Sequence, residues 1–271
     1  MKKFVQIEVC TQSEEEGEIM IANLSEIGFY AFEQNSEILH AYVNEKDFDE
    51  SLLIRLLPEN AAYFSRIIED RNWNQEWEDQ VQPIQIGNFA GIRTIFHKPL
   101  KNVDHELIIT PKMSFGTGHH ATTFLVIELM EQISFKSKSV LDFGTGTGIL
   151  AILAEKLGAS QILAIDYDEW SITNAGENIR ENNCKHIILQ RTNNISEVPV
   201  VNIIIANINL SILTENTVNF ATLLMPSSHL IISGFLASDE EQISSGLVKN
   251  GFIIKKVNEK DGWAAILFEK Q

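Results

Sequence analysis

Apolar residues alternate with polar ones through "FVQIEV" (residues 4–9), then change to a helical spacing in "SEEEGEIMIANLSEIG" (residues 13–28). Period-two alternation marks a strand with one buried face, and a 3.6-residue period marks an amphipathic helix. Ser13 with Glu16 three residues on has the form of a capping box, and Gly28 is a helix stop. Ile19, Leu24 and Ile27 are expected on the buried face of that helix. "FYAFEQN" and "ILHAYVN" read as short strands, "DFDESLLIRLL" as a helix stopped by Pro58, and "YFSRIIED" as another strand. The resulting order over residues 1–70, βαββαβ, predicts a small ferredoxin-like α+β domain.

Residues 71–88, "RNWNQEWEDQVQPIQIGN", read as a connector carrying Trp73, Trp77 and Pro83. "GIRTIFHK" and "HELIITP" are strand-like and lead into the glycine loop "SFGTGHHATT" and the helix "FLVIELMEQI". From Ser139 onward, apolar strands ("SVLDFG", "QILAIDYD", "HIILQRT", "VVNIIIANI", "HLIISGF") are separated mostly by helices. Strands that are apolar on both faces and flanked by helices predict a doubly wound, mostly parallel sheet over residues 89–271. The rhythm breaks at "GFIIKKVNEKDGWAAILFEK", where Asp261-Gly262 signals a tight turn. The sheet is therefore expected to close with a terminal antiparallel hairpin.

A chain of 271 residues has room for one large core and a smaller satellite. No run of 18 apolar residues is present, so no membrane span is expected. Gln6 and Glu8 interrupt the first apolar stretch, which argues against a signal peptide. Cys10 and Cys184 support neither a disulfide framework nor a zinc motif, and a reducing cytoplasm is expected. The net charge is -16, and residues 1–70 hold five basic against 15 acidic side chains, a net of -10. That imbalance disfavours a nucleic-acid partner, whose backbone needs clustered Lys and Arg, and would steer a basic partner instead.

The chemistry concentrates at "SVLDFGTGTGILAILAEKLGA", with Gly144, Gly146 and Gly148 at alternate positions. A phosphate-binding P-loop would need a lysine directly after the last glycine, where Ile149 stands. A dinucleotide fingerprint would need its third small residue one position later, and Asp142 is a poor neighbour for two phosphates. A cationic, phosphate-free cofactor suits these residues better. S-adenosylmethionine would meet bare backbone at the glycines and a carboxylate, Asp142, on its ammonium side. Asp166 ends the next strand, 20 residues after Gly146, where an acid accepts ribose hydroxyls in nucleoside-binding α/β folds. Asn207 ends the fourth strand and should face the same crevice, although an Asn there also suits a helix N-cap. The earlier loop adds Gly116, Gly118, Thr122 and Thr123, and two histidines, His119 and His120.

Taken together, "RNWNQEWEDQVQPIQIG", "SFGTGHHATT", "VLDFGTGTGILAILAEKLGA", "ILAIDYDEWSITNAGENIREN" and "IIIANINL" resemble the bacterial ribosomal protein L11 methyltransferases, a class I S-adenosylmethionine-dependent family. The resemblance implies an N-terminal domain that recognises the ribosomal protein L11, a connector, and a catalytic domain with a seven-stranded sheet. It implies methyl transfer to lysine side-chain and terminal amines, and cofactor contacts at Thr123, Gly144, Asp166 and Asn207; Gly146 follows from the turn itself. The chain departs from the family pattern at His119 and Ala121, where Thr and Pro are usual, at Glu169, where Pro is usual, and at Asn209, where an apolar residue is usual. A small-molecule methyltransferase using the same cofactor site is the alternative.

Overall fold

The computed structural model describes residues 3–11, 13–34, 38–57, 63–69, 82–110 and 120–271. Trp73, Trp77, Pro58, Gly116, Gly118 and His119 lie outside the described residues. The chain divides into two compact units, Met1–Val81 and Gln82–Gln271.

The first unit runs β1 (Lys3–Cys10), α1 (Glu14–Glu26), β2 (Ala31–Gln34), β3 (Ile38–Asn44), α2 (Glu50–Leu56) and β4 (Tyr63–Glu69). Its antiparallel sheet has the order β2-β3-β1-β4, as the ferredoxin-like pattern requires. Ser13 caps α1 by accepting the Glu16 N–H at 3.2 Å, and Asp49 caps α2 through the N–H groups of Ser51 and Leu52. Val5, Ile7 and Val9 of β1 pack with Leu39, Ala41 and Val43 of β3, and with Met20, Leu24 and Leu53 of the helices. The buried face of α1 is therefore set by Met20 and Leu24, four residues apart, and Ile19 is 59% exposed. Five residues of helix separate Ile19 from Leu24, about 140° of rotation, too far round to share a face.

In the second unit, β5 (Ile84–Ile86), β6 (Ala90–Arg93) and β7 (His105–Ile108) form a three-stranded sheet. Residues Ile84–Ile86, inside the stretch read as a connector, thus supply a strand. Then follow α3 (Ala121–Met130), β8 (Ser139–Phe143), α4 (Ile149–Lys156), β9 (Gln161–Asp166), α5 (Glu169–Glu181), β10 (Ile187–Arg191), β11 (Val201–Asn207), α6 (Leu210–Glu215), α7 (Thr217–Leu223), β12 (Leu224–Leu236), α8 (Glu240–Lys249), β13 (Phe252–Lys260) and β14 (Trp263–Lys270).

The large sheet has the order β10-β9-β8-β11-β12-β14-β13. Its first five strands are parallel, and β14 runs antiparallel to both β12 and β13. This is the class I methyltransferase fold, with the terminal hairpin turning at Asp261 (φ 52°) and Gly262 (φ 78°). The central strand shows why it reads as one apolar run: Ile203 and Ile205 join one core cluster, Ile204 and Ala206 the other. Successive side chains point to opposite faces, and both faces are covered. Strand order reverses between β8 and β11, so a crevice opens at their carboxyl ends, the usual ligand position in such sheets.

Candidate active site

The turn from β8 into α4 is built by its glycines. Gly144, Gly146 and Gly148 have φ of 77°, 54° and 82°, values that L side chains rarely adopt. A Cβ at Gly144 would collide with the Ile208 side chain, and one at Gly148 would lie 3.2 Å from Ala175 Cβ. The turn is fastened to the end of β9: the Gly144 and Thr145 N–H groups both donate to Ile165 O at 2.9 Å. The Gly146 N–H donates to Asp166 Oδ2 at 3.0 Å. These amides have partners within the protein, so they do not form the open N–H cradle that a phosphate needs. The geometry agrees with the phosphate-free ligand expected from the sequence.

Asp142 lies beneath the cavity surface, and its Oδ1 is buried without a partner within the protein. It is 1% exposed and absent from the cavity wall. Its Oδ2 accepts from Thr145 Oγ1 at 2.6 Å and from the Ala151 N–H at 3.2 Å. Gly148, at the N-cap of α4, has no side chain to cap the helix; Asp142 satisfies one of the orphan amides instead. Burial is the main reason that its carboxyl ionises high, at about 7; the bonds from Thr145 and Ala151 oppose the rise and Asp166 adds to it.

The folded state therefore holds this proton more tightly than the unfolded chain, where the group ionises near 3.8. Stability from this group is fully present below about pH 4 and is lost as pH rises through about 7. Asp142→Asn removes the titration. Urea unfolding between pH 5 and 8 should show the variant gaining on the wild type as pH rises. A pH-independent difference between the two would disprove this reading.

Asp166 is 8% exposed and its second oxygen, Oδ1, accepts the Asp168 N–H at 3.0 Å. Asp168 is the N-cap of α5, taking the Ser171 N–H at 2.8 Å, which holds its own carboxyl below the usual range. Glu169, in place of the family's proline, opens α5 and pairs with Arg191 at 2.8 Å.

Two asparagines divide the end of β11 between them. Asn209 caps α6 through the Ile212 N–H at 3.1 Å. Asn207 is thus released from capping: its Nδ2 donates to Thr123 Oγ1 at 3.4 Å, and its buried Oδ1 has no partner within the protein. Thr123 is fully buried and does not line the cavity itself; it is tied to the lining through Asn207.

A cavity of about 490 Å³ is lined by Gly144, Gly146, Asp166 and Asn207. Phe143, Ile208, Ile212 and Trp263 give it apolar surface, and Gly234 contributes bare backbone. Gly234 was not legible as a site residue: a Cβ there would lie 2.7 Å from Ile208 C and 2.9 Å from Ile208 N. His120 also lines the cavity. Its Nδ1 accepts the Thr122 N–H at 3.3 Å as the N-cap of α3, and its ring meets Trp263 edge-on at 4.8 Å.

The volume suits a nucleoside-sized ligand, and the residues suit S-adenosylmethionine in particular. Glycine backbone permits close approach, Asp166 has lone pairs left for hydroxyls, and the orphaned Asn207 Oδ1 calls for a donor. The family model described as ribosomal protein L11 methyltransferase (PrmA) matches residues 3–271. The chain belongs to the ribosomal protein L11 methyltransferase family. Ribosomal protein L11 methyltransferase from Phocaeicola vulgatus is 36% identical over 98% of this chain and 99% of that protein. The Bacteroides thetaiotaomicron protein of the same name is 38% identical over 96% and 95%. Among solved structures, the ribosomal protein L11 methylase of Lactobacillus delbrueckii subsp. bulgaricus has a TM-score of 0.65 at 30% identity. It covers 70% of this chain and all of that one. Among the described residues, no helix is long and apolar enough to cross a membrane.

Proposed function

We propose that this chain transfers methyl groups from S-adenosylmethionine to ribosomal protein L11, and that the acceptors are lysine side-chain and terminal amines. The observation that carries the reading is the orphaned, buried Asn207 Oδ1 beside Asp166 and the glycine turn, in a member of this family. Bound there, S-adenosylmethionine supplies a methyl group activated by its sulfonium. Asp166 would hold the ribose hydroxyls, Gly144 and Gly146 would let the ligand lie against the backbone, and Asn207 would accept a hydrogen bond.

The chain's own task is alignment and exclusion of water. A free lysine amine has a pKa of about 10.4, so its neutral form costs roughly 4 kcal/mol near pH 7.4. Phe143, Ile208, Ile212 and Trp263 lower that cost by desolvating the amine, because burial disfavours the ammonium. No general base is assigned.

Residues 1–70 are read as the substrate-recognition domain, residues 71–88 as the connector and residues 89–271 as the methyltransferase domain. The net charge of -10 on the first supports steering of a basic ribosomal protein. Incubation with labelled S-adenosylmethionine and unmethylated L11, followed by mass spectrometry, should place label on lysines or the amino terminus. The apparent KM for L11 should rise with ionic strength while cofactor affinity holds. Cofactor binding without label on L11 would overturn the substrate and leave a small-molecule acceptor. An L11 KM indifferent to salt would remove the steering role.

A further inference from the structure

Helix α5 carries Asn174 and Asn178, and Asn182 follows as its C-cap residue, the three spaced four residues apart and so on one side. All three are buried, although asparagine is a poor choice for a buried helix face unless its amide is used. Asn182 brackets β7: its Oδ1 accepts the Ile108 N–H at 3.0 Å and its Nδ2 donates to Ile108 O at 2.7 Å. Asn174 donates to Thr110 O at 3.2 Å.

Asn178 differs from both neighbours because it joins two separate segments. Its Oδ1 accepts the Thr110 N–H at 3.0 Å, and its Nδ2 donates to Thr147 O at 2.8 Å, inside the glycine turn. The helix is also in close contact with that turn where Gly148 faces Ala175. Only a side chain with a donor and an acceptor on one short stem can serve both partners; aspartate lacks the donor and leucine lacks both.

We propose that Asn178 is a positioning residue for the cofactor: it fixes the Thr147 peptide, and through it the glycine turn, relative to the segment that ends β7. Asn178 is absent from the cavity wall, so it acts on the ligand through the segments it holds, among them the glycine turn. The inference rests on the S-adenosylmethionine reading and adds a residue outside the expected contact set. Asn182 supplies an internal control. At the C-cap of the same helix it makes equally short bonds, to Ile108 and to Asn178 O, but none to the turn.

The test uses the full chain. S-adenosylmethionine affinity is measured by calorimetry for wild type, Asn178→Ala and Asn182→Ala, below the unfolding temperature of each. Hydrogen exchange at the amides of residues 145–148 is followed without ligand. Both variants should unfold at lower temperature. Asn178→Ala should bind the cofactor about 10-fold more weakly and exchange faster at residues 145–148, while Asn182→Ala stays within about twofold of wild type on both readouts. The KM for L11 should change in neither.

Equal effects of the two variants, or wild-type behaviour of Asn178→Ala, would overturn the proposal and leave Asn178 as ordinary packing. Should Asn178→Ala fail to fold, Asn178→Ser, whose hydroxyl can still meet one partner, takes the same comparison. Failure of the wild type itself to bind S-adenosylmethionine would refute the cofactor reading instead. The exchange comparison would then still decide whether Asn178 holds the turn.

Discussion

Asp166→Asn should weaken S-adenosylmethionine binding about 100-fold while leaving the fold intact. The carboxylate already takes the Gly146 N–H on one oxygen and the Asp168 N–H on the other, each at 3.0 Å. Each oxygen keeps a lone pair for a ligand hydroxyl. An amide in its place sets an NH2 group against one of those N–H donors, and removes the charge that strengthens both the inner bonds and those to ribose. Hydrogen bonds to charged groups contribute about 1.5–3 kcal/mol each, so losing one or two accounts for the expected factor. Isothermal calorimetry reads the affinity, and circular dichroism checks the fold. An affinity within threefold of wild type would remove Asp166 from the cofactor site.

Gly234→Ala should cost about 3 kcal/mol or more of stability and lower the unfolding temperature by roughly 10 °C. Two effects add. The residue has φ of 98°, unfavourable for any side chain with a Cβ. The new methyl would also press on the backbone of Ile208, at 2.7 Å from C and 2.9 Å from N, with the carbonyl oxygen closer still. Backbone cannot rotate out of the way as a side-chain tip can. Ile208 stands between Asn207 and Asn209, and its N–H is bonded to Ser233 O at 3.1 Å. Strain there should move Asn207, so cofactor affinity should fall with stability. Calorimetric unfolding at the wild-type temperature would show this account to be wrong.

These two positions mark how much of the site could be read from the chain. Asp166 was legible because a strand, a glycine turn, a helix and the next strand lie consecutively in sequence, and their spacing places the acid. Gly234 was not, because its constraint comes from Ile208 across the β11–β12 pairing, where Asn207 aligns with Ser233. Asp142 shows the opposite failure. Its place in the motif was clear, but not that one of its oxygens serves the amide of an uncapped helix. Asn207 and Asn209 were both visible, and only the cap geometry separates the one that holds a helix from the one that faces the cavity. In the first unit, element order and caps followed from pattern and Ser13, whereas the buried face of α1 depended on counting helical turns from Leu24.

The order β12-β14-β13 at the end of the sheet has a consequence for how the chain is made. During synthesis β13 emerges before β14, yet it has no neighbour in the sheet until β14 arrives between it and β12. β13 therefore joins the sheet with β14 or after it, in a ribbon closed at Asp261-Gly262. Trp263, which lines the cavity and touches His120, comes with that ribbon. A nascent chain can thus assemble the glycine turn and still lack one wall of its cavity, so competence to bind arrives late, in one step.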